Sequence, residues 1–249
     1  MSSFSEIAYA FSSKPVFTRS EIIDYIRTQK PTIKDSTTSW FLYNLCQKGI
    51  IQRIAHDAYR LYVEDNPLKK YETLLSDDAA DIAEFLVRQY PLLTFIVWES
   101  FAFNEFATHQ MVRNYIFVEV EKPLGESVFH ALHGQGGYLT LYRPSEKEIS
   151  LYSGGVTVSV LPLTSEAPIN GNNAKLEKLL VDLFANKLLD CIISRGDYPA
   201  IYEEAFSRYI INYNMMLRYA KRRNKQAEIK RFISEKTNVA VVGKEKTND

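Results

Sequence analysis

The chain has 249 residues, of which 46% are hydrophobic and 24% are charged. This composition is ordinary for a globular protein and excludes a largely disordered, collagen-like or disulfide-scaffold chain. No apolar run approaches the roughly 18 residues that a membrane span needs, and the first residues lack the pattern of a secretory signal. Cys46 and Cys191 both lie in helix-like apolar patterns, so we expect reduced core cysteines in a cytoplasmic protein.

The net charge of zero conceals an uneven distribution along the chain. Residues 1–62 carry a net charge of +3, residues 63–217 carry −9, and residues 218–249 carry +6. The two basic ends favour a polyanionic partner, although solvated surfaces would give the same imbalance.

The N-terminal region predicts helices separated by short turns. After a first short helix near residues 3–11, the tetrapeptide Thr18-Arg-Ser-Glu21 is typical of a capping box that begins a helix ending near Gln29. A turn over residues 30–35 leads to a further helix, which Gly49 ends. Its apolar stripe is predicted to be buried, and its opposite side carries polar and aromatic residues.

Two alternating runs at residues 50–54 and 59–63 predict a hairpin after these helices. The order of three helices and a hairpin is that of a winged helix-turn-helix, whose last helix enters the DNA major groove while the hairpin lies over the backbone. The small hydroxylated residues that begin this helix allow close approach to DNA, although such residues also serve as caps. An outward-facing Trp40 is unusual unless DNA, the hairpin or another subunit covers it. The residues expected at the groove are Lys34, Thr37, Thr38, Ser39, Trp40 and Tyr43, and those expected on phosphates are Arg53, His56 and Arg60.

The remainder of the chain predicts a second domain. We expect domain boundaries at residues 1–66, 67–236 and 237–249, the last being a flexible tail. Residues 69–76 are interpreted as a linker or a first helix. Near-continuous apolar strands then alternate with helices up to Pro168 and indicate a mixed α/β sheet, after which the pattern is wholly helical. The predicted fold class is therefore α+β, with an N-terminal winged helix-turn-helix, a mixed sheet domain and a C-terminal helical bundle.

No nucleotide-binding, zinc-protease or serine-hydrolase motif occurs in the sequence, and we expect no catalytic residue, metal or cofactor. An alternative interpretation places Glu99, Glu119 and Glu121 in one acidic cluster, as a metal-dependent nuclease or nucleotidyltransferase would need. The pair His130 and His133 offers at most two metal ligands and is explained more simply as a helix C-terminal feature.

The last helices carry a basic run that predicts a broad positive surface. This surface suits phosphates, RNA or an acidic protein partner, and it also allows a third interpretation, a protein-interaction adaptor. Its residues are Arg218, Lys221, Arg222, Arg223 and Lys225, with Lys230 and Arg231 beyond them.

Several segments together resemble the AbiEi-like antitoxins of type IV toxin–antitoxin (abortive infection) systems. They are residues 36–54 (STTSWFLYNLCQKGIIQRI), Tyr59, 97–100 (VWES), 104–106 (NEF), 109–110 (HQ), 117–122 (FVEVEK), 162–163 (PL), 166–168 (EAP), 176–184 (LEKLLVDLF) and 218–223 (RYAKRR). The resemblance spans roughly residues 15–235.

The resemblance implies a non-enzymatic regulator with two activities. Its winged helix domain would bind inverted repeats in its own double-stranded promoter DNA and repress the operon. Its second domain would counteract a neighbouring nucleotidyltransferase-type toxin, and the resemblance does not imply direct contact between the two proteins. Relatives commonly carry a Gly- and Arg-rich hairpin tip, whereas this chain has residues 53–59 (RIAHDAY) there, with Asp57 placed to repel phosphate.

Overall fold

The computed structural model describes residues 4–14, 16–29, 31, 35–55, 57–62, 68–151 and 155–239. They form a mixed α and β structure with two sheets, which confirms the α+β class. Among these residues, no helix combines the length and the apolar character that crossing a membrane requires.

The first part of the chain packs three helices against a three-stranded sheet. The helices are α1 (Phe4–Ala10), α2 (Arg19–Gln29) and α3 (Asp35–Gln47), and the strands are β1 (Phe17–Thr18), β2 (Ile51–Ala55) and β3 (Ala58–Leu61). The sheet order is β1-β3-β2, and both pairings are antiparallel. Side chains from every one of these elements, including Ile7, Phe17 and Leu45, form one hydrophobic core, which holds α3 against α2 and the sheet.

Local signals set the ends of α2 and α3. At the start of α2, the Glu21 amide donates to Thr18 Oγ1 over 3.0 Å, and the Thr18 amide donates to Glu21 Oε2 over 2.7 Å, which confirms the capping box. At the end of α3, Gly49 has φ +64°, and the Ile50 amide donates to the Leu45 carbonyl over 2.9 Å. This is the Schellman arrangement, which needs a left-handed residue and therefore favours glycine.

The second part of the chain contains a six-stranded sheet and seven α-helices among the described residues. The strands are β4 (Phe95–Glu99), β5 (Tyr115–Val120), β6 (Leu139–Tyr142), β7 (Thr157–Pro162), β8 (Ile169–Asn170) and β9 (Asn173–Ala174). The helices are α4 (Asp77–Gln89), α5 (Gly125–Gln135), α6 (Glu146–Leu151), α7 (Leu176–Ala185), α8 (Tyr198–Arg208), α9 (Tyr213–Arg222) and α10 (Gln226–Lys236). The sheet order is β6-β7-β5-β4-β9-β8. The β6–β7, β7–β5 and β4–β9 pairs are parallel, whereas β4–β5 and β9–β8 are antiparallel.

Both faces of this sheet are buried, which explains why β4 and β5 are apolar almost without interruption. On one face, Val97 and Val118 pack with α4 and α5. On the other face, Trp98 and Phe117 stack with ring centroids 4.2 Å apart and pack against α7, α8, α9 and α10. Successive residues of a strand point to opposite faces, so the side chain of each polar residue in β4 or β5 points towards one of the two cores.

Four expectations about this part of the chain need correction. The chain is not wholly helical after Pro168, because β8 and β9 extend the sheet there. Residues 69–76 form no helix; the backbone of Lys69 instead pairs with the chain around Tyr209. Residues 237–239 pack against the protein, with Val239 buried, so the predicted tail does not begin at Thr237. Cys191 is exposed rather than part of the core, since it ends a turn of 3-10 helix at the surface, and Cys46 is half-buried.

Candidate nucleic-acid interface

The solvent-facing side of α3 carries two large aromatic residues. The side chains of Trp40 and Tyr43 are each 62% exposed, and Thr37 and Gln47 are exposed on the same helix. Steps of three, three and four residues place Thr37, Trp40, Tyr43 and Gln47 on successive turns of one side. The sequence correctly predicted that this side faces away from the core of Leu42 and Leu45.

Thr38 does not belong to this exposed surface, contrary to the expectation that it contacts DNA. Its side chain is only 1% exposed, because residues 38, 42 and 45 follow the helical spacing that faces the core. The side chain of Ser39 lies outside the described part of the structure, as do Lys34 and His56. Of the residues expected at the groove, the structure therefore shows Thr37, Trp40 and Tyr43 as exposed.

The hairpin separates its two arginines. Arg60 lies directly opposite Gln52, whereas Arg53 lies opposite Tyr59, so the two arginines project from opposite faces of the ribbon. Arg60 Nε donates to Gln52 Oε1 over 3.2 Å, and burial lowers the pKa of Arg60. Arg53 is exposed. The two residues therefore do not form one phosphate-binding surface, and Arg53 is the more accessible cation.

The predicted basic surface at the C-terminal end is smaller than the sequence indicated. Arg218, Lys221 and Arg222 are exposed at positions i, i+3 and i+4 of α9 and share one side of that helix. Arg222 forms an ion pair with Glu166, and this hydrogen bond lowers the pKa of the Glu166 carboxyl. Lys225 is half-buried, with its Nζ 2.6 Å from Glu228 Oε2.

Arg223 points into the protein, so its assignment to the basic surface was wrong. Its Nη1 lies 3.1 Å from Asp182 Oδ1 and donates to the Tyr219 hydroxyl over 3.0 Å, while Nη2 donates to the Ala185 carbonyl over 2.9 Å. Arg223 follows the end of α9, where the chain turns, and this turn directs the guanidinium towards α7. Its role is to compensate a buried carboxylate.

Asp182 belongs to a buried charge network that sequence reasoning missed. Lys178 Nζ lies 2.6 Å from Glu119 Oε1 and 2.5 Å from Asp182 Oδ2, and all three side chains are buried. Trp98 Nε1 also donates to Glu119 Oε1 over 2.8 Å, and the Lys178 ammonium lies 4.7 Å from the centre of the Trp98 ring. Burial alone would lower the pKa of Lys178, but the carboxylates of Asp182 and Glu119 raise it above its usual value. The only sequence signal was a lysine and an aspartate four residues apart on a helix that is otherwise buried.

The three carboxylates of the alternative enzymatic interpretation do not converge. Glu119 projects into the core beside Trp98, whereas Glu99, which is adjacent to Trp98 in β4, projects to the opposite face. Glu121 is exposed after the end of β5. No group of three His, Cys, Asp or Glu side chains that could hold a metal ion occurs in the described ranges.

Glu99 instead holds neighbouring segments together. Its Oε1 accepts from the Ser76 amide over 2.8 Å, and its Oε2 accepts from Ser76 Oγ and from Asn114 Nδ2, each over 2.6 Å. Ser76 is also the N-cap of α4. The Glu99 carboxylate therefore joins the start of α4 to the segment before β5, which is a structural role.

The chain is an α+β protein with a helical and three-stranded N-terminal part and a larger mixed-sheet part. It belongs to the family of unknown function DUF6577, whose model matches residues 37–239. A domain of unknown function, DUF7669, also matches residues 4–61, and the two matches overlap over α3 and the hairpin. A comparison with curated proteins found no match.

Proposed function

We propose that residues 4–62 form a winged helix-turn-helix that binds duplex DNA, with α3 as the recognition helix. The observation that carries the proposal is the pair of exposed aromatic side chains, Trp40 and Tyr43, on the side of α3 that faces away from the core. A helix fits the major groove, where aromatic and apolar side chains contact thymine methyl groups and hydroxyl groups reach base edges or phosphates. Thr37 supplies such a hydroxyl near the start of the helix.

Charge supports the same proposal. Residues 1–62 carry a net charge of +3, in contrast to −9 for residues 63–217, so the N-terminal part is the more favourable surface for a polyanion. Arg53 in the hairpin can contact the phosphates of one DNA strand beside the groove. Asp57 lies at the hairpin turn and opposes a deep insertion of the tip.

We further propose that the protein is an antitoxin that represses its own operon and counteracts a nucleotidyltransferase-type toxin. This proposal rests on the resemblance of the α3, β5, α7 and α9 segments to AbiEi-like antitoxins. DNA binding and antitoxicity would then reside in separate parts of the chain. A variant that loses one activity should keep the other.

A gel-shift experiment with the DNA upstream of the chain's own operon tests DNA binding. The double variant Thr37→Ala with Trp40→Ala should abolish the shift, because it removes a groove-facing hydroxyl and the largest exposed ring. Tyr9→Ala is the matched control, since Tyr9 is an 84% exposed aromatic residue on α1 that lies outside the proposed interface. Circular dichroism checks that all variants remain folded. An unchanged shift with the double variant rejects α3 as the recognition helix.

A growth assay tests the second activity. The double variant, expressed together with the nucleotidyltransferase-type protein encoded beside it, should still restore growth. Loss of rescue by a folded variant would contradict the proposed separation of the two activities.

A further inference from the structure

A groove lies between α9 and the turn that joins β7 to β8. Its volume is about 280 Å³, near the lower end of the range of about 300–1,000 Å³ found for ligand sites. Its walls include Glu166, Pro168, Ile169, Lys175, Met215 and Arg218. None of these residues takes part in the proposed DNA interface, so the groove requires its own explanation.

The groove contains two cationic side chains and one acid that is already in an ion pair. Glu166 forms an ion pair with Arg222, which lies one turn after Arg218 on α9. Among the described residues, neither Lys175 nor Arg218 has an acidic partner within ion-pair distance. Lys175, Arg218 and Arg222 outnumber Glu166, so the groove carries a net positive charge, and it adjoins the exposed side of α9 that also carries Lys221. This local excess of positive charge favours an anionic ligand.

The floor of the groove is apolar, and the described residues that line it include no aromatic ring. Pro168 is buried, and Ile169 and Met215 are half-buried, so part of each aliphatic side chain remains open to a ligand. Methionine adapts its shape to varied apolar partners. A nucleobase would be expected to stack on an aromatic ring, and none of the walls supplies one.

The apolar floor distinguishes a peptide from a nucleic acid. A phosphate backbone has no aliphatic group to pack on Ile169 and Met215, whereas an acidic peptide can carry one beside its carboxylates. A short acidic segment experiences mainly the nearest cations, because charges are screened over about 8 Å at physiological salt. We propose that the groove binds an acidic segment of another polypeptide, whose carboxylates pair with Lys175 and Arg218 and whose apolar side chain packs on Ile169 and Met215. This binding does not depend on the proposed DNA binding.

Methyl NMR of the full chain tests the proposal with an internal control. The probe is the peptide Gly-Ser-Asp-Leu-Glu-Ser-Gly, added to protein labelled with ¹³C at its methionine methyl groups. The Met215 methyl should shift progressively to saturation, whereas Met216, which is fully buried, and Met111, which lies outside the groove, should not. The unchanged Met216 signal also shows that the protein stays folded.

Variants and alternative probes decide the chemistry. Lys175→Glu with Arg218→Glu should weaken peptide binding at least tenfold, while Arg113→Glu with Lys147→Glu, which makes the same change in net charge at exposed sites outside the groove, should not. A peptide with Ser in place of Leu should bind more weakly. The absence of a Met215 shift at peptide concentrations up to about 1 mM overturns the proposal. The proposal is also overturned if an oligothymidylate and the peptide with Ser in place of Leu each shift the Met215 signal as much as the original peptide does. That result would indicate general binding of polyanions.

Discussion

Lys178 and Glu119 form an ion pair inside the protein, 2.6 Å apart, with the indole of Trp98 beside both. Asp182 lies on the other side of the lysine, and Arg223 compensates Asp182. The four ionised groups thus balance in charge between β5, α7 and the end of α9. Removing one of them leaves the others uncompensated in a medium of low dielectric.

The first prediction concerns the removal of this lysine. Lys178→Met keeps most of the side-chain volume but leaves Glu119 without its cation and Asp182 with Arg223 alone, and we expect the free energy of unfolding to fall by about 3–5 kcal/mol. Urea denaturation measures this change. The double variant that adds Glu119→Gln should recover part of the loss, because it removes the unpaired carboxylate and leaves the pair of Asp182 and Arg223 in place. A loss below 1 kcal/mol for the single variant would show that the network contributes little.

The second prediction concerns alkaline pH. Burial raises the pKa of Tyr202 well above the usual value, and burial together with Asp182 raises that of Tyr219. Each of these pKa values is higher in the folded than in the unfolded state. The tyrosine's contribution to the free energy of unfolding is therefore fully present below the unfolded-state pKa of about 10 and declines as the pH rises above it. Ionisation of these tyrosines, followed by absorbance, should therefore coincide with loss of circular dichroism.

Tyr202→Phe provides the check on that pH dependence. The variant loses the hydrogen bond from the tyrosine hydroxyl to the Leu180 carbonyl, which should cost about 1 kcal/mol at neutral pH. It should also shift the alkaline unfolding midpoint upward, since one buried ionisable group is gone. Tyr9→Phe, at an exposed position, should leave the midpoint unchanged.

The third prediction concerns Gly49, at the end of α3. Gly49→Ala should destabilise the protein by about 1 kcal/mol, because the Cβ of alanine makes the left-handed backbone conformation that the Schellman turn requires less favourable. Space is not the reason, since an added Cβ would lie 3.9 Å from its nearest neighbour, Tyr62. Gly134→Ala is the control: this glycine lies within α5 with open space around it, and the substitution should stabilise by about 0.5–1 kcal/mol. Equal effects at the two positions would contradict the argument.

The fourth prediction uses the contrast between the two tryptophans. Trp40 is largely exposed and Trp98 is fully buried, so acrylamide should quench the emission of Trp40 strongly and that of Trp98 weakly. Trp40→Phe should therefore leave a blue-shifted emission that resists quenching. Addition of operator DNA to the unmodified protein should protect the quenchable component. Quenching of Trp40 that stays unchanged at saturating operator DNA would argue against Trp40 at the interface.

Sequence reasoning was most reliable where a local signal determines local structure. The Thr18–Glu21 capping box was predicted with its two hydrogen bonds, and Gly49 was predicted as the residue that ends α3, since both signals depend on residues a few positions apart. The exposure of Trp40 followed from helical periodicity. Thr38 was misassigned because hydroxylated residues at a helix start suit a cap, a core edge and a DNA contact equally well.

Non-local contacts explain the remaining errors. Strand β9 exists because Asn173 pairs with Val97, far away in sequence, and a two-residue strand has no periodicity to detect. Arg223 seemed part of a basic run, and only the fold shows that it meets Asp182. The separation of Glu99 from Glu119 likewise depends on the register of β4 against β5, which the sequence alone does not reveal.

The extended segment before α4 has a practical consequence for dissecting the protein. Lys69 exchanges backbone hydrogen bonds with Arg208 and Ile210, and Thr73 Oγ1 donates to the Ala174 carbonyl over 2.7 Å. A truncated chain that started at Asp77 would retain every strand of the larger sheet but would lose the segment of residues 68–76, which contacts α8 and β9. A truncation that isolates the C-terminal half should therefore begin before Leu68, so that this segment is kept, rather than at the start of α4.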